Sequence, residues 1–559
     1  MKKISKKIKL VLVVISILII SLVSISFTDN YFEIAKNLDI FTSLYKELNT
    51  YYVDETDPGK LMKKGIDAML KSLDPYTTYI PESEIEDFRF MTTGQYGGIG
   101  AIITKKDDYV VISEPYEGFP AHKAGLMAGD KILEINGVSA KGKTTEEVSR
   151  ILKGQPNTSV TLLMERKNQN KPFEVNFDRE KVTIKSVPYS GFVSKGIGYI
   201  KLRSFTRDCS KEIKNALSGL KKEQELKGLI LDLRSNPGGL LNESINIANI
   251  FIERGKEVVS TKGRIKDWEK IYKTVNRPED TETPLVVLIN QGSASASEIV
   301  SGVMQDFDRG VIIGNKSFGK GLVQQSRKLS YNSQLKVTIA KYYIPSGRCI
   351  QALDYSNRNE DGSVGKIPDS LKTAFKTNNG RIVYDGGGIE PDIKIKKIKI
   401  SNISISLIKE RLFFDYATDY RLKYDSILSA KKFRFSEKDF EDFKSFLTNK
   451  EYQYTTKTEE VVADLKEKAE DEFYLDDIAT EYDALVKKLE TNKKDDINKF
   501  KGEIKEIITS EIVSRYFYQK GRIIATLQFD KSVNQAISLL NDRARYDNIL
   551  TENAKKDEQ

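Results

Sequence analysis

Histidine and cysteine are nearly missing from this chain. Its 559 residues contain one histidine, His122, and two cysteines, Cys209 and Cys349. A zinc site of the HExxH kind needs two histidines on one helical face, so that class of hydrolase is excluded. A Ser-His-Asp triad or a Cys-His pair has only His122 to draw on, and His122 lies in a segment with another reading, given below. Lysine, a carboxylate or the backbone has to supply any catalytic base. An oxidising compartment allows the two cysteines to pair, but both are expected as free thiols. Walker and G-x-S-x-G motifs are absent, which sets aside a nucleotide-driven motor and an α/β-hydrolase. No metal and no cofactor is expected.

What is present is ample apolar content, 39% hydrophobic and 9% aromatic. At roughly 100–200 residues per domain, the length accommodates three or four units. The formal net charge is +9, yet lysines alternate with glutamates and aspartates instead of forming a basic stripe. A nucleic-acid partner is therefore not expected.

Lys2, Lys3, Lys6, Lys7 and Lys9 precede an apolar run from Leu10 to Phe27. That run is long for a signal peptide and just long enough to span a bilayer. Residues 1–28 are read as a signal peptide or membrane anchor. The lysines would stay cytoplasmic and the rest of the chain outside, in the cell envelope on the periplasmic side of the membrane, anchored or secreted.

Residues 29–93 read as helical, with Ile34, Leu38, Phe41, Leu44 and Leu48 at helical spacing, then Leu61, Ile66, Met69 and Leu70. Leu73-Asp74-Pro75-Tyr76 breaks the second helix. From Gly94 short strands and glycines take over: Gly97-Gly98-Ile99-Gly100, the strand Ala101–Thr104, then Ala124-Gly125-Leu126 through Gly129-Asp130-Lys131-Ile132 to an Asn136-Gly137 hairpin signal, and a helix at Thr145–Lys153. Residues 94–182 resemble a PDZ domain. On that resemblance, Gly98, Ile99, Gly100 and Ala101 aim backbone N–H groups at a peptide carboxylate, and the adjoining strand takes the peptide by β-augmentation. His122 then precedes a small packing helix and reads as structural.

Between 183 and 400, β-rich runs at Ile197–Leu202, Gly228–Leu233, Leu285–Ile289, Gly310–Ile313 and Leu335–Ile344 alternate with amphipathic helices, the pattern of an α/β domain. Residues 401–559 read as a helical extension. The expected fold is thus multidomain α+β: an N-terminal helical segment, a β-rich PDZ-like domain, an α/β core over 183–400 and C-terminal helices.

Three loops follow predicted strands, where α/β folds place function. They are Asp232-Leu233-Arg234-Ser235-Asn236-Pro237-Gly238-Gly239, Asn290-Gln291-Gly292-Ser293-Ala294-Ser295-Ala296-Ser297-Glu298, and Ser317-Phe318-Gly319-Lys320-Gly321-Leu322-Val323-Gln324. Each alone has a bland reading as a turn, a helix cap or a surface lysine; together they point to an active site. The residues themselves do not choose among Ser293, Ser295 and Ser297. Ser317 with Lys320 matches SxxK formally, but Gly319 and Gly321 disfavour the helix that pattern needs.

In this order, behind a PDZ-like segment, the loops resemble those of the C-terminal processing peptidases, or tail-specific proteases. Tyr342-Tyr343-Ile344-Pro345-Ser346-Gly347-Arg348 and Gly386-Gly387-Gly388-Ile389-Glu390-Pro391-Asp392 agree with them. The resemblance implies Ser295 as nucleophile, Lys320 as base and Gln324 as the residue that holds the lysine. It implies oxyanion donors at Ala296 N–H and at Gly238 or Gly239. A free lysine titrates near 10.4, so its use as a base needs desolvation, for which Phe318, Leu322 and Val323 are candidate walls. The implied partners are protein tails with apolar C-termini, the membrane through an uncleaved N-terminus, and a second copy or an adaptor through the C-terminal helices. The rival readings are a catalytically silent PDZ scaffold and a regulatory protease with one specific partner.

Overall fold

The computed structural model describes residues 31–359, 362–396 and 399–551. The lysine-rich start and the run Leu10–Phe27 lie outside the described residues, among which no helix is long and apolar enough to cross a membrane. Two compact units divide the chain at Tyr79.

The first unit holds a helix over residues 31–51 and a second at Pro58–Lys71. Proline at the first position costs the second helix no hydrogen bond, and Asp57 caps it by accepting the Lys60 N–H. Tyr45 Oη donates to Pro58 O at 2.6 Å, joining the two helices. The expected break after Leu73 is a turn held by Asp74, whose Oδ1 accepts the N–H groups of Tyr76 and Thr77. Ile34, Leu38, Leu44 and Leu48 are all exposed.

In the second unit, a sheet of antiparallel strands at Ala101–Lys106, Tyr109–Pro115, Lys131–Ile135, Ser159–Glu165 and Phe173–Asp178 closes over the helix Thr145–Leu152. Val110, Ile112, Ile132, Val148, Leu162 and Met164 fill its core. Asn136 and Gly137 both take positive φ, as a type I′ hairpin turn requires.

The region 183–400 is built on a six-stranded sheet in chain order: β1 (Tyr189–Ser194), β2 (Ile197–Lys201), β3 (Gly228–Asp232), β4 (Leu285–Ile289), β5 (Gly310–Gly314) and β6 (Ile393–Lys394). β1 runs antiparallel to β2, and the others are parallel. Parallel strands buried on both faces read as continuous apolar runs, which Leu285–Ile289 is. Alternate residues serve opposite faces. Leu229, Leu231, Val287 and Ile312 meet helices α1 (Cys209–Glu223), α2 (Leu241–Phe251) and α3 (Ala296–Asp306). Ile230, Val286, Leu288 and Val311 meet Val533, Ala536, Leu539 and Tyr546 from the far end of the chain.

The helical extension therefore completes the core of the six-stranded sheet. It contains α4 (Lys501–Leu527), α5 (Lys531–Asn541) and α6 (Arg543–Ile549), and Tyr546 bonds both N and O of Leu285. Its own aromatic core joins Phe413, Tyr416, Phe440 and Phe443 to Ile508 and Ile512. It also carries the PDZ domain, through Lys106–Asp415 at 2.7 Å, Lys167–Asp419 at 2.6 Å and Arg522–Glu114 at 3.2 Å. Tyr518 interrupts α4 with φ 52°, and its ring meets His122 edge-on at 5.1 Å.

A second antiparallel sheet was not expected. It orders Leu322–Lys328, Gln334–Tyr343, Glu257–Gly263 and Lys270–Lys273, so Gln324 sits in a strand.

Candidate active site

The three loops follow β3, β4 and β5 and lock into one another. Ala294 N–H donates to Asn236 O at 3.0 Å and Phe318 N–H to Ser293 O at 3.0 Å. Ser235 N–H donates to Asn290 Oδ1 at 2.7 Å.

This interlock separates the candidate serines. Ser293 Oγ is buried, donates to Leu233 O and accepts from Asn290 N–H. Ser297 Oγ is buried and donates to Asn236 O at 2.9 Å. Ser317 Oγ donates to Glu298 Oε1 and accepts from Ile389 N–H, each at 2.6 Å. All three hydroxyls hold the loops together. Ser295 alone is partly open to solvent. It stands immediately before α3 with φ 54° and ψ −113°, a conformation costing about 1–3 kcal/mol in an ordinary residue, and such strain collects at functional positions.

Glu298, one turn into α3, is fully buried and accepts four hydrogen bonds. Oε1 takes Ser317 Oγ–H and Gly319 N–H, both at 2.6 Å; Oε2 takes Ser295 N–H at 2.7 Å and Lys320 N–H at 2.9 Å. One carboxylate thus joins the Ser295 turn to the Lys320 loop. Burial pushes its pKa up to about 7 against the pull of those four donors. In the sequence Glu298 stands only as the last residue of the serine loop. The signal was there: serine with glutamate three positions on is a capping-box pattern.

The glycine loop lies against the serine turn. A Cβ added to Gly238, whose φ is +96°, would fall 2.7 Å from Ala294 O and 2.9 Å from Ala296 N. Gly238 N–H is spent on Asn236 Oδ1 at 2.9 Å. Gly239 is exposed and its neighbours take the bridge to Phe205, through Phe205 N–H to Gly238 O and Leu240 N–H to Phe205 O. Gly239 therefore lies open to solvent, while Ala296, at the first turn of α3, is buried. Buried Asn236, which also bonds Leu202 O, was not foreseen as the residue shaping this loop.

Lys320 is half-buried between Gly319 and Gly321. Gly321 N–H donates to Gln351 Oε1 and Gly319 O accepts from Ala352 N–H. Of the expected walls, Leu322 is buried, Val323 packs on the core and Phe318 is half exposed. Gln324 Nε2 donates to Thr338 Oγ1 at 3.3 Å.

In the PDZ domain, Gly98, Ile99 and Gly100 are buried and Ala101 is half-buried at the start of its strand. Only Gly100 takes positive φ, +71°, and a Cβ there would lie 2.4 Å from Phe119 Cβ. Gly98 is extended strand paired with Glu180. His122 Nδ1 accepts from Gly118 N–H within the same domain. Both cysteines are free thiols.

Residues 196–356 match the sequence profile of peptidase family S41, 111–166 that of a PDZ domain, and 403–540 that of the C-terminal helical domain of probable PDZ-proteases. The chain is 36% identical over 395 residues to a probable CtpA-like serine protease of Staphylococcus aureus, covering 69% of this chain and 76% of that one. It is 38% identical over 329 residues to a carboxy-terminal-processing protease of Bartonella bacilliformis, covering 58% and 75%. It also resembles the solved photosystem II D1 C-terminal processing protease, with 28% identity, TM-score 0.34, and coverage of 64% of this chain and 92% of that one.

Proposed function

The chain belongs to peptidase family S41, among the carboxy-terminal-processing serine proteases that carry a PDZ domain, and on that premise we propose that it cleaves extended protein tails with Ser295 as nucleophile and Lys320 as base. The carrying observation is the Glu298 carboxylate, which bonds the main-chain N–H of both residues. The strained turn at Ser295 supports the same reading.

In this mechanism Ser295 Oγ attacks the scissile carbonyl while neutral Lys320 Nζ takes its proton. The oxyanion lies between Ala296 N–H and Gly239 N–H, where each donor contributes about 3 kcal/mol. Lys320 then returns the proton to the departing amine, and water releases the acyl chain by the reverse sequence. Gln324, whose amide nitrogen is turned to Thr338, keeps its carbonyl oxygen available to orient the lysine.

The PDZ domain takes the substrate's C-terminal carboxylate on the Gly98–Ala101 loop and its chain along Ala101–Lys106. Two of the ion pairs that hold that domain to the C-terminal helices are part-exposed and contribute little, the third being Arg522 with buried Glu114. That supports a domain whose position is set by bound peptide, given a peptide that favours one arrangement. The basic start and apolar run of the sequence support action outside the cytoplasmic membrane.

The test is cleavage of an unstructured protein with an apolar C-terminus by wild type, Ser295→Ala and Lys320→Ala. Loss in both folded variants upholds the reading. Cleavage by Ser295→Ala sinks it, and a wild type inert towards every tail favours the scaffold.

A further inference from the structure

The segment Tyr342-Tyr343-Ile344-Pro345-Ser346-Gly347-Arg348 has no part in the chemistry above. Its far end is structural: buried Arg348 donates to Asp306 Oδ1 at 2.8 Å and Gln305 Oε1 at 2.9 Å. Tyr342 is placed differently. It is 1% exposed, with its ring in the core beside α3. Its hydroxyl lies 2.6 Å from Lys320 O and 3.2 Å from Ser295 O, and its N–H donates to Gly321 O at 2.9 Å.

We propose that Tyr342 is a positioning residue of the catalytic pair, its buried hydroxyl fixing the backbone of the base against the backbone of the nucleophile. The proposal rests on the Ser295–Lys320 reading. Glu298 holds the N–H groups of both residues, and the phenol reaches both carbonyls, so each residue is held on both sides of its Cα. A phenol has one proton to donate. The shorter contact assigns it to Lys320 O, with Ser295 O as second acceptor. The lysine loop most needs this hold, because a lysine stem is flexible and the loop is flanked by Gly319 and Gly321. A displacement of about 1 Å in a reacting group costs on the order of a hundredfold in rate.

Tyr342→Phe deletes one oxygen and leaves the ring in the core. We expect kcat to fall about tenfold or more with KM nearly unchanged. The acidic limb of the pH–rate profile should move to higher pH, as the lysine relaxes towards its ordinary titration range. Tyr343→Phe, one residue on, removes a hydroxyl from the same strand and should leave kcat, KM and the limb in place. Assays run in the cold, below the melting transition of each variant, keep folding out of the comparison. Wild-type kcat and pH profile in Tyr342→Phe overturn the proposal. So does an equal loss in Tyr343→Phe, or a loss that tracks thermal stability with no movement of the limb. A Ser295→Ala enzyme that still cleaves fails the underlying reading, and that outcome is read from a separate variant.

Discussion

Arg234 and Asp530 form a two-pronged ion pair, with Nη1–Oδ1 at 2.9 Å and Nη2–Oδ2 at 2.7 Å, across 296 positions of sequence. Arg234 turns its other edge to Asp232, through Nε–Oδ1 at 2.9 Å and Nη2–Oδ2 at 2.7 Å. Burial alone would raise the Asp232 carboxyl, but Arg234 and Lys201 hold it below the usual carboxylate range. Both Asp232 and Arg234 stand at the start of the glycine loop beside Ser295. A carboxylate from the C-terminal helices thus secures the start of that loop.

The pair predicts that activity depends on the C-terminal helices. Asp530 also caps α5, accepting the N–H groups of Ser532 and Val533. Asp530→Asn keeps a capping oxygen and loses the charge, so it should lower stability by about 2 kcal/mol. Asp530→Ala loses the cap as well and should cost about 1 kcal/mol more. Both should reduce kcat/KM. Thermal melts and tail cleavage, measured together, check this; an unchanged kcat/KM in both variants contradicts the coupling.

How much of this was legible follows from particular residues. Asn136-Gly137, the break at Asp74 and the apolar run Leu285–Ile289 are local signals, and the structure agrees with each. Ser293, Ser295 and Ser297 share one local pattern, and only the surrounding carbonyls of Leu233 and Asn236 separate them. The strand at Leu322–Lys328 was missed because its residues are mostly polar and Gln325–Lys328 are exposed on both faces, so burial gives no alternation to read. Asp530 and Tyr546 have ordinary helical neighbours. Their roles are set by partners about three hundred positions away or slightly fewer, which periodicity cannot report.

Strain at Ser295 has its own signature. Glycine adopts φ 54°, ψ −113° without penalty, whereas alanine keeps the strain. Ser295→Gly should therefore be inactive yet more stable than wild type by about 1 kcal/mol, and Ser295→Ala inactive with stability near wild type. Chemical denaturation of the three proteins measures the difference. A less stable Ser295→Gly would mean that the turn carries no strain.

Gly238 should tolerate no side chain, because a Cβ would lie 2.7 Å from Ala294 O and 2.9 Å from Ala296 N. Gly238→Ala is expected to displace the Ala296 donor and lower kcat by about a hundredfold. Gly219 lies inside α1 with open space around it, so Gly219→Ala should stabilise by roughly 0.5–1 kcal/mol and leave kcat alone. Steady-state kinetics and melts on the two variants separate crowding at the site from a general effect of added methyl groups.

Glu298 sets stability and activity in opposition across one range of pH. Its pKa rises from 4.5 to about 7 on folding, so the folded chain binds a proton more tightly than the unfolded one. That contribution is fully present below about 4.5 and is lost as pH climbs through 7, worth roughly 3 kcal/mol in total. Activity should change the other way. Four donors point at this carboxyl, and a proton on it opposes one of them and loosens the join between Ser295 and Lys320. Wild type should become less stable and more active between about pH 4.5 and 7. Glu298→Gln places an NH₂ against two of the donors; it should lose most of its activity and also the stability slope over that range. Denaturation at a series of pH values distinguishes the two proteins, and an unaltered slope in Glu298→Gln would assign the titration to another group.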